Sequence, residues 1–391
     1  MSEDISGPEI LEAVSPVDLK ETEPRETRVS KGIALCLSGG GYRAMLFHLG
    51  ALWRLNELGY LRKINRISSV SGGSITSGVL AVSWQHLTFD ATGVSTNFNS
   101  IIVAQVRKMA DKTIDIGSVL RGILSLGSIG DKVANAYSRY LFGKKTLQDM
   151  PDEPRFVINA TNVQSGALWR FSKPFMWDYR VGEVKNPQIK IGVAVAASSA
   201  FPPFLSPVIL KLNSSAFTPG SGKDLQREPF TSRVVLTDGG AYDNLGLETA
   251  WKSFETVLVS DGGGNLPAQV KPWRNWFVHM LRVLFIIDNQ VRSLHKRQTI
   301  DSYKLGIRKG TYWGIRTNIK DYQLSDALDC PFEKTIKLAN ISTRLKRLDS
   351  TTQERLINWG YAVCDAAMRK HVDPSLPKPG GFPYTKANVG V

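Results

Sequence analysis

Ser68-Ser69-Val70-Ser71-Gly72-Gly73-Ser74 is the stretch on which the reading of this chain turns. It ends the short apolar run of residues 64–70 and leads straight into a small-residue helical pattern over residues 75–84. A serine at a strand-to-helix junction, flanked by residues with little or no side chain, is what a nucleophile elbow requires. The backbone must turn sharply there and the hydroxyl must stand clear of its neighbours. Ser71 is the candidate nucleophile, and Ser69 and Gly73 are the small residues that let the elbow close.

Upstream, the apolar run of residues 33–37 predicts a strand and ends in Ser38-Gly39-Gly40-Gly41. Residues 44–58 then carry helical periodicity (Leu46, Leu49, Leu52, Trp53, Leu55), with Gly59 placed to close the helix. Strand, glycine loop, helix, strand, elbow and helix in that order predict an α/β fold with a parallel sheet covered by helices. Three glycines after a strand let backbone N–H groups converge on one point, and the helix that follows adds its positive end. That suits an oxyanion, a phosphate or a tight structural turn. The Gly-x-Gly-x-x-Gly spacing and the P-loop Gly-Lys-Ser/Thr are both missing, which weakens a nucleotide reading.

A serine nucleophile needs a base. Of the five histidines, His48 lies nearest in sequence, but its register among Leu46, Phe47 and Leu49 reads as a buried helical position. Asp238 follows the strand pattern of residues 233–236 and precedes Gly239 and Gly240. In a parallel α/β sheet the C-terminal ends of strands are where active sites lie. A carboxylate desolvated there gains basicity and could take the serine proton directly. A lone Asp-Gly-Gly is also an ordinary turn, so these residues by themselves leave base and turn both open.

The remaining pattern is less specific. Residues 1–29 are acidic and proline-containing and read as a disordered tail. Residues 101–110 and 131–142 are helical in pattern, and residues 119–129 are small and apolar, fitting a lid, an acyl-binding wall or a packed insertion. Residues 156–160 predict a strand, paired as a hairpin with residues 168–171, and Asn159 and Asn340 each begin a glycosylation-type tripeptide. Strands are expected at residues 234–236 and 256–260, and a small-residue helix at 191–197. Asp243 and Asn244 are placed to order the loop after Gly240. Residues 273–297 mix large apolar and basic side chains, fitting either an interfacial helix on anionic lipid or, the favoured reading, a helix packed on the domain. A last helix is expected over residues 351–369, opened by Ser350 with Gln353 in capping-box spacing.

Composition bounds the function. The chain has 391 residues, 42% hydrophobic and 21% charged, within the range of globular domains. The formal net charge is +14 although residues 1–30 carry eight acids against three basic residues, so the rest of the chain is strongly basic. That favours an anionic surface or a solvated basic face. Cys36, Cys330 and Cys364 are few, odd in number and widely spaced, which excludes a disulfide framework and points to a reducing compartment. The most apolar run, residues 277–287, is short and holds His279 and Arg282, where a bilayer span needs about 20 apolar residues. No signal-peptide pattern precedes it, so a cytoplasmic or peripherally attached protein is expected.

Taken together, Ser38-Gly39-Gly40-Gly41-Tyr42-Arg43-Ala44, Ser69-Val70-Ser71-Gly72-Gly73 and Asp238-Gly239-Gly240, in that order, resemble the patatin-like phospholipase family. The resemblance covers about residues 31–265 and includes residues 196–203, Ala-Ala-Ser-Ser-Ala-Phe-Pro-Pro, which look like the family's loop beside the site. It implies a patatin-like, α/β-hydrolase-related fold: a central, mostly parallel sheet flanked by helices, with helical insertions and a helical C-terminal extension. The implied organisation is a tail over 1–29, a catalytic domain over 30–265 and an extension over 266–391 packed on it. The implied chemistry is lipid acyl hydrolysis through an acyl-Ser71 intermediate. Asp238 is then the general base, Gly39, Gly40 and Gly41 form the oxyanion hole, Arg43 steadies that loop, and no histidine, cofactor or metal takes part. Ser69 departs from the family's Gly-x-Ser-x-Gly, serine being the next smallest choice. The substrates implied are membrane phospholipids or other lipid esters; an anionic membrane surface is an expected partner and nucleic acid is not. A phospholipase gated by a ligand such as a cyclic nucleotide, and a catalytically silent lipid- or nucleotide-binding module, stay open as other classes.

Overall fold

The computed structural model describes residues 29–114, 129–202, 205–272 and 274–390. The acidic segment expected over residues 1–29 lies, apart from Val29, outside the described residues, as do most of residues 119–129, and also Pro203 and Trp273.

A mixed sheet organises the chain. Its parallel half runs β10 (Lys309–Gly314), β9 (Phe254–Asp261), β1 (Ser30–Leu37), β2 (Ile64–Val70) and β3 (Arg155–Asn162). Helices cover both faces of this half, and the last four residues of β1 and of β2 are all buried, the two serines of β2 included. Beyond β3 the sheet becomes antiparallel, through β4 (Leu168–Phe171), β5 (Phe175–Asp178) and β6 (Gly182–Lys185). The hairpin expected between β3 and β4 is present. β7 (Val208–Lys211) pairs with β8 (Arg233–Asp238), and β8 returns to β3.

The pairing on β3 sets the geometry of everything that follows. β2 runs parallel to β3 only as far as Val70 opposite Asn159. At the next residue β8 takes over the same edge, antiparallel, with Asp238 opposite Ala160. Two strands therefore arrive head-on, and their C-terminal ends meet beside the middle of β3. Asp238 was expected at the C-terminal edge of a parallel strand; it reaches that edge from the opposite direction.

Helix α1 (Gly41–Glu57) begins in the glycine loop itself, three residues before its apolar periodicity starts. It ends as its sequence suggests: Gly59 is at φ +66°, and the Gly59 and Tyr60 N–H groups return to the Asn56 and Leu55 carbonyls. Helix α2 (Gly72–Ser83) springs directly from the elbow and is buried throughout. α3 (Ala104–Ala110), α4 (Ile129–Tyr137) and α5 (Ile191–Ser198) complete the first part.

After β9 come the long helix α6 (Trp276–Lys304), then β10, α7 (Phe332–Ala339) and α8 (Ser350–His371). α6 differs from the packed helix expected, because Thr299 is its only buried residue among those described. α8 lies along α1, and within the fold only Trp53 and Glu57 of α1 are not buried. The two helices touch through glycine: a Cβ on Gly50 would sit 1.9 Å from the Ile357 carbonyl oxygen, and one on Gly360 1.9 Å from that of Phe47. Arg54 of α1 bonds Asp365 of α8 at 2.8 Å in the same buried seam. The cap of α8 is Asp349 and not Ser350. Its carboxylate accepts the Thr352 N–H at 2.9 Å, while Gln353 turns away to Asp111 and the Leu348 carbonyl. A carboxylate one residue ahead reaches the free N–H groups of the first turn, which leaves Ser350 inside the helix.

Candidate active site

β1 has parallel neighbours on both sides, β2 leading one way through the chain and β9 the other. The crevice at its C-terminal end is thus the point where strand order reverses, the usual ligand site of such sheets. Gly39, Gly40 and Gly41 leave β1 there, Ser71 leaves β2, and Gly262 leaves β9.

Ser71 sits at φ +51°, ψ −117°, a conformation that a residue with a side chain adopts only at a cost of about 1–3 kcal/mol. The surroundings impose it. The Ser71 N–H donates to Ser198 Oγ at 2.9 Å, the Gly73 N–H to the Ser38 carbonyl at 3.1 Å, and Gly72 lies against the backbone of Gly41. Ser69 keeps the elbow intact. Its buried hydroxyl accepts from Ser74 Oγ at 3.1 Å and donates to the Val157 carbonyl at 3.3 Å. Substituting glycine for Ser71 should release the strain that alanine keeps. We expect S71G to be more stable than S71A by about 1 kcal/mol, and so to unfold at a higher temperature in a thermal melt of the two variants.

Ser71 and Asp238 come together where the ends of β2 and β8 meet on β3, near enough for the Ser71 hydroxyl to favour the charged form of the Asp238 carboxyl. Asp238 is buried, and burial pushes its pKa up to about 7, against the Gly240 N–H (2.7 Å from Oδ1) and the Ser71 hydroxyl, which favour the charged form. The negative charge of Asp288 on α6 pushes in the same direction as burial. Gly239 passes so close to β3 that a Cβ would meet the Asn159 carbonyl at 2.3 Å. The Asp238 N–H and the Thr237 hydroxyl both donate to the Ala200 carbonyl, which fixes the backbone that carries the carboxylate.

In the glycine loop, Gly40 at φ +142° and Gly41 at φ +60° adopt conformations closed to other residues. The Gly39 N–H is already used, donating to the Asn244 carbonyl at 3.0 Å. Among the described residues the N–H groups of Gly40 and Gly41 make no hydrogen bond. Gly39 instead provides room, since a Cβ there would lie 3.2 Å from that of Ser71. Arg43 bonds the Gly262 carbonyl at 3.2 Å and also the Ile341 carbonyl; burial lowers its pKa to about 10. It ties the loops after β1 and β9 together with its guanidinium fully engaged.

His48 is fully buried, with Nδ1 2.8 Å from Ser260 Oγ and Nε2 2.9 Å from the Ser38 carbonyl, and burial lowers its pKa to about 4. Both ring nitrogens are occupied in holding the loop that Ser38 opens. Asp243 orders its own turn, accepting the N–H groups of Leu245, Gly246 and Glu248. Asn159 is buried, with its amide donating to Ser68 Oγ and the Ser69 carbonyl, so it is not a glycan acceptor. The structure thus brings Ser71, Asp238 and the glycine loop together and adds Ser198, Asn159 and the Asn244 carbonyl. Ser198 was visible only as part of the Ala-Ala-Ser-Ser stretch, and a backbone carbonyl leaves no mark in a sequence. No group of three His, Cys, Asp or Glu side chains suited to a metal occurs among the described residues.

Among solved structures the chain is similar to human GIVD cytosolic phospholipase A2 in complex with methyl gamma-linolenyl fluorophosphonate. The identity is 14%, over 86% of this chain and 57% of that one, with a TM-score of 0.49. Without the inhibitor the same human enzyme aligns over 66% of this chain and 48% of its own, at 14% identity and a TM-score of 0.41. VipD from Legionella pneumophila is 16% identical over 86% of this chain and 66% of that one, with a TM-score of 0.33. The chain therefore spans about half to two thirds of the length of these structures. No curated protein matches it. A family model described as patatin-like phospholipase matches residues 35–251, more than half of the chain and the whole span from glycine loop to base, so the chain belongs to the patatin-like phospholipase family.

Proposed function

We propose that the protein is a lipid acyl hydrolase of phospholipase A or lysophospholipase type, with Ser71 as nucleophile and Asp238 as its general base. The observation that carries the reading is the meeting of Ser71, strained at the end of β2, with the buried Asp238 at the end of β8, a carboxyl that burial pushes up to a pKa of about 7. An ordinary carboxylate is too weak a base for a serine hydroxyl; one held near neutrality is matched to the task. Ser71 Oγ attacks the ester carbonyl as its proton passes to Asp238. The developing oxyanion falls to the two unpaired N–H groups of Gly40 and Gly41, with Gly39 leaving the space and Arg43 fixing the loop. Asp238 returns the proton to the departing lysolipid or alcohol. It then deprotonates the water that hydrolyses acyl-Ser71. No step calls for a metal or a cofactor.

No helix of the described residues is long and apolar enough to cross a membrane. With the strongly basic body, this supports action from the surface of a lipid layer. Labelling by a fluorophosphonate probe, read by mass spectrometry, tests the assignment. Adduct on Ser71 in the wild type, and none in S71A, is expected alongside hydrolysis of a chromogenic acyl ester. Labelling elsewhere, or undiminished hydrolysis by S71A, would overturn it.

A further inference from the structure

We propose that the outward face of α6 is the surface on which the enzyme docks to an anionic lipid bilayer, an inference that rests on the hydrolase reading above. Trp276, Met280, Val283, Ile287, Val291 and Leu294 recur at helical spacing, joined by Phe277 and Leu284 on the same face. All eight are exposed, Trp276 by 74% and Ile287 by 53%. From the first to the last of them the stripe is about 27 Å long at 1.5 Å per residue. A surface helix normally turns such a stripe into the core. Here the opposite side is the one secured. Lys296 and Arg292 reach the buried Asp261 at 2.7 and 3.7 Å, and Arg292 also bonds the Gly264 carbonyl at 2.9 Å. The Tyr303 hydroxyl donates to the Val257 carbonyl at 2.7 Å. Rotating the stripe inward would break the ion pairs of a fully buried carboxylate, which is costly.

Two features select a lipid surface over a second copy of the chain. Lys271, Arg274 and Arg297 stand exposed beside the stripe on a chain of net charge +14, which attracts anionic headgroups and repels another copy. The helix also adjoins the site. Phe285 stacks on Phe201 with ring centres 6.0 Å apart, one residue past the Ala200 carbonyl that holds Asp238, and the charge of Asp288 reaches Asp238 itself. On its other side α6 and the preceding loop form an apolar groove of about 300 Å³, lined by Leu266, Pro267, Val278, Leu281 and Phe285, the last being the residue that stacks on Phe201. A helix lying in the interface to a depth of about 5–10 Å would bring the bilayer to the mouth of the site, with Trp276 among the headgroups.

Co-sedimentation of the full chain with phosphatidylcholine vesicles containing about a quarter phosphatidylglycerol tests this. Wild type and V163D, the same kind of change at an exposed valine in the turn between β3 and β4, should partition alike. L284D/I287D should lose at least ~10-fold in partition while keeping the wild-type circular dichroism spectrum. Equal partition of the double variant would overturn the proposal. So would a wild-type dimer that the double variant abolishes, with neither binding vesicles. Fluorophosphonate labelling of the same samples keeps the two readings apart. Binding through the stripe by an unlabelled protein supports the surface and defeats the hydrolase assignment, and a labelled protein that ignores vesicles does the reverse.

Discussion

Replacing Asp238 with asparagine should lower ester hydrolysis by about 10³-fold, near the middle of the range for loss of a general base. The amide oxygen can still accept the Gly240 N–H, so the site should keep its shape and lose only its proton acceptor. The wild-type rate should rise with pH through a single titration near 7, because the carboxyl must be ionised to act and burial holds its pKa there. Stability should move the other way. The folded state favours the protonated form relative to an unfolded value of 3.8, so this contribution is fully present below pH 3.8 and lost as pH rises through about 7. Above neutrality the buried charge costs at most about 4 kcal/mol, which asparagine removes. Urea titrations at pH 5 and pH 8 should therefore show D238N gaining on the wild type only at the higher pH. A flat rate–pH profile, or a variant of equal activity, would remove Asp238 from the mechanism.

The second large effect concerns Gly360. Helix propensity alone predicts that Gly360→Ala, in the interior of α8, stabilises by about 1 kcal/mol. The close approach of α8 to α1 predicts the opposite sign, since the new methyl would stand 1.9 Å from the Phe47 carbonyl oxygen. Both sides of the clash are backbone, which cannot step aside as a flexible side chain would. Net destabilisation of about 2–3 kcal/mol is expected, a large share of the 5–15 kcal/mol by which domains hold together. Chemical denaturation of G360A decides between the two by sign alone. The change should also reach the site, because α1 starts at Gly41 and moves with the loop that carries the free N–H groups.

Much of this was legible from sequence for local reasons. β1, β2, α1 and α2 declare themselves through short apolar stretches, helical periodicity and glycines at fixed places, and Ser71, Asp238 and the glycine loop stand at those punctuation points. What stayed hidden was held by backbone or by distance. Gly39 and Tyr42 bond the carbonyls of Asn244 and Arg344, which any residue would supply. β5, β6 and β7 are four residues each, too short to show alternation. β10 extends the sheet beside β9 across the whole of α6, a pairing that no local pattern announces. The Asp349 cap was missed by one residue because Asp349 and Ser350 are both good caps, and only geometry chooses between them.

The shared edge of β3 has one further implication. Ser71 and Asp238 are far apart in the chain, yet their spacing is fixed by one step along a single strand, from Asn159 to Ala160. Strand β3 acts as a ruler with the strand ends that carry these two residues clamped to adjacent marks. Lengthening the connections between them is cheap, since doubling a loop costs only about 0.6 kcal/mol in closure entropy. A slip of β8 by one residue would instead turn Asp238 to the opposite face of the sheet. Connections between these strands are thus free to drift in length while the two residues stay in register, so of all the parts that shape this crevice it is the pairing on β3 that tolerates least change.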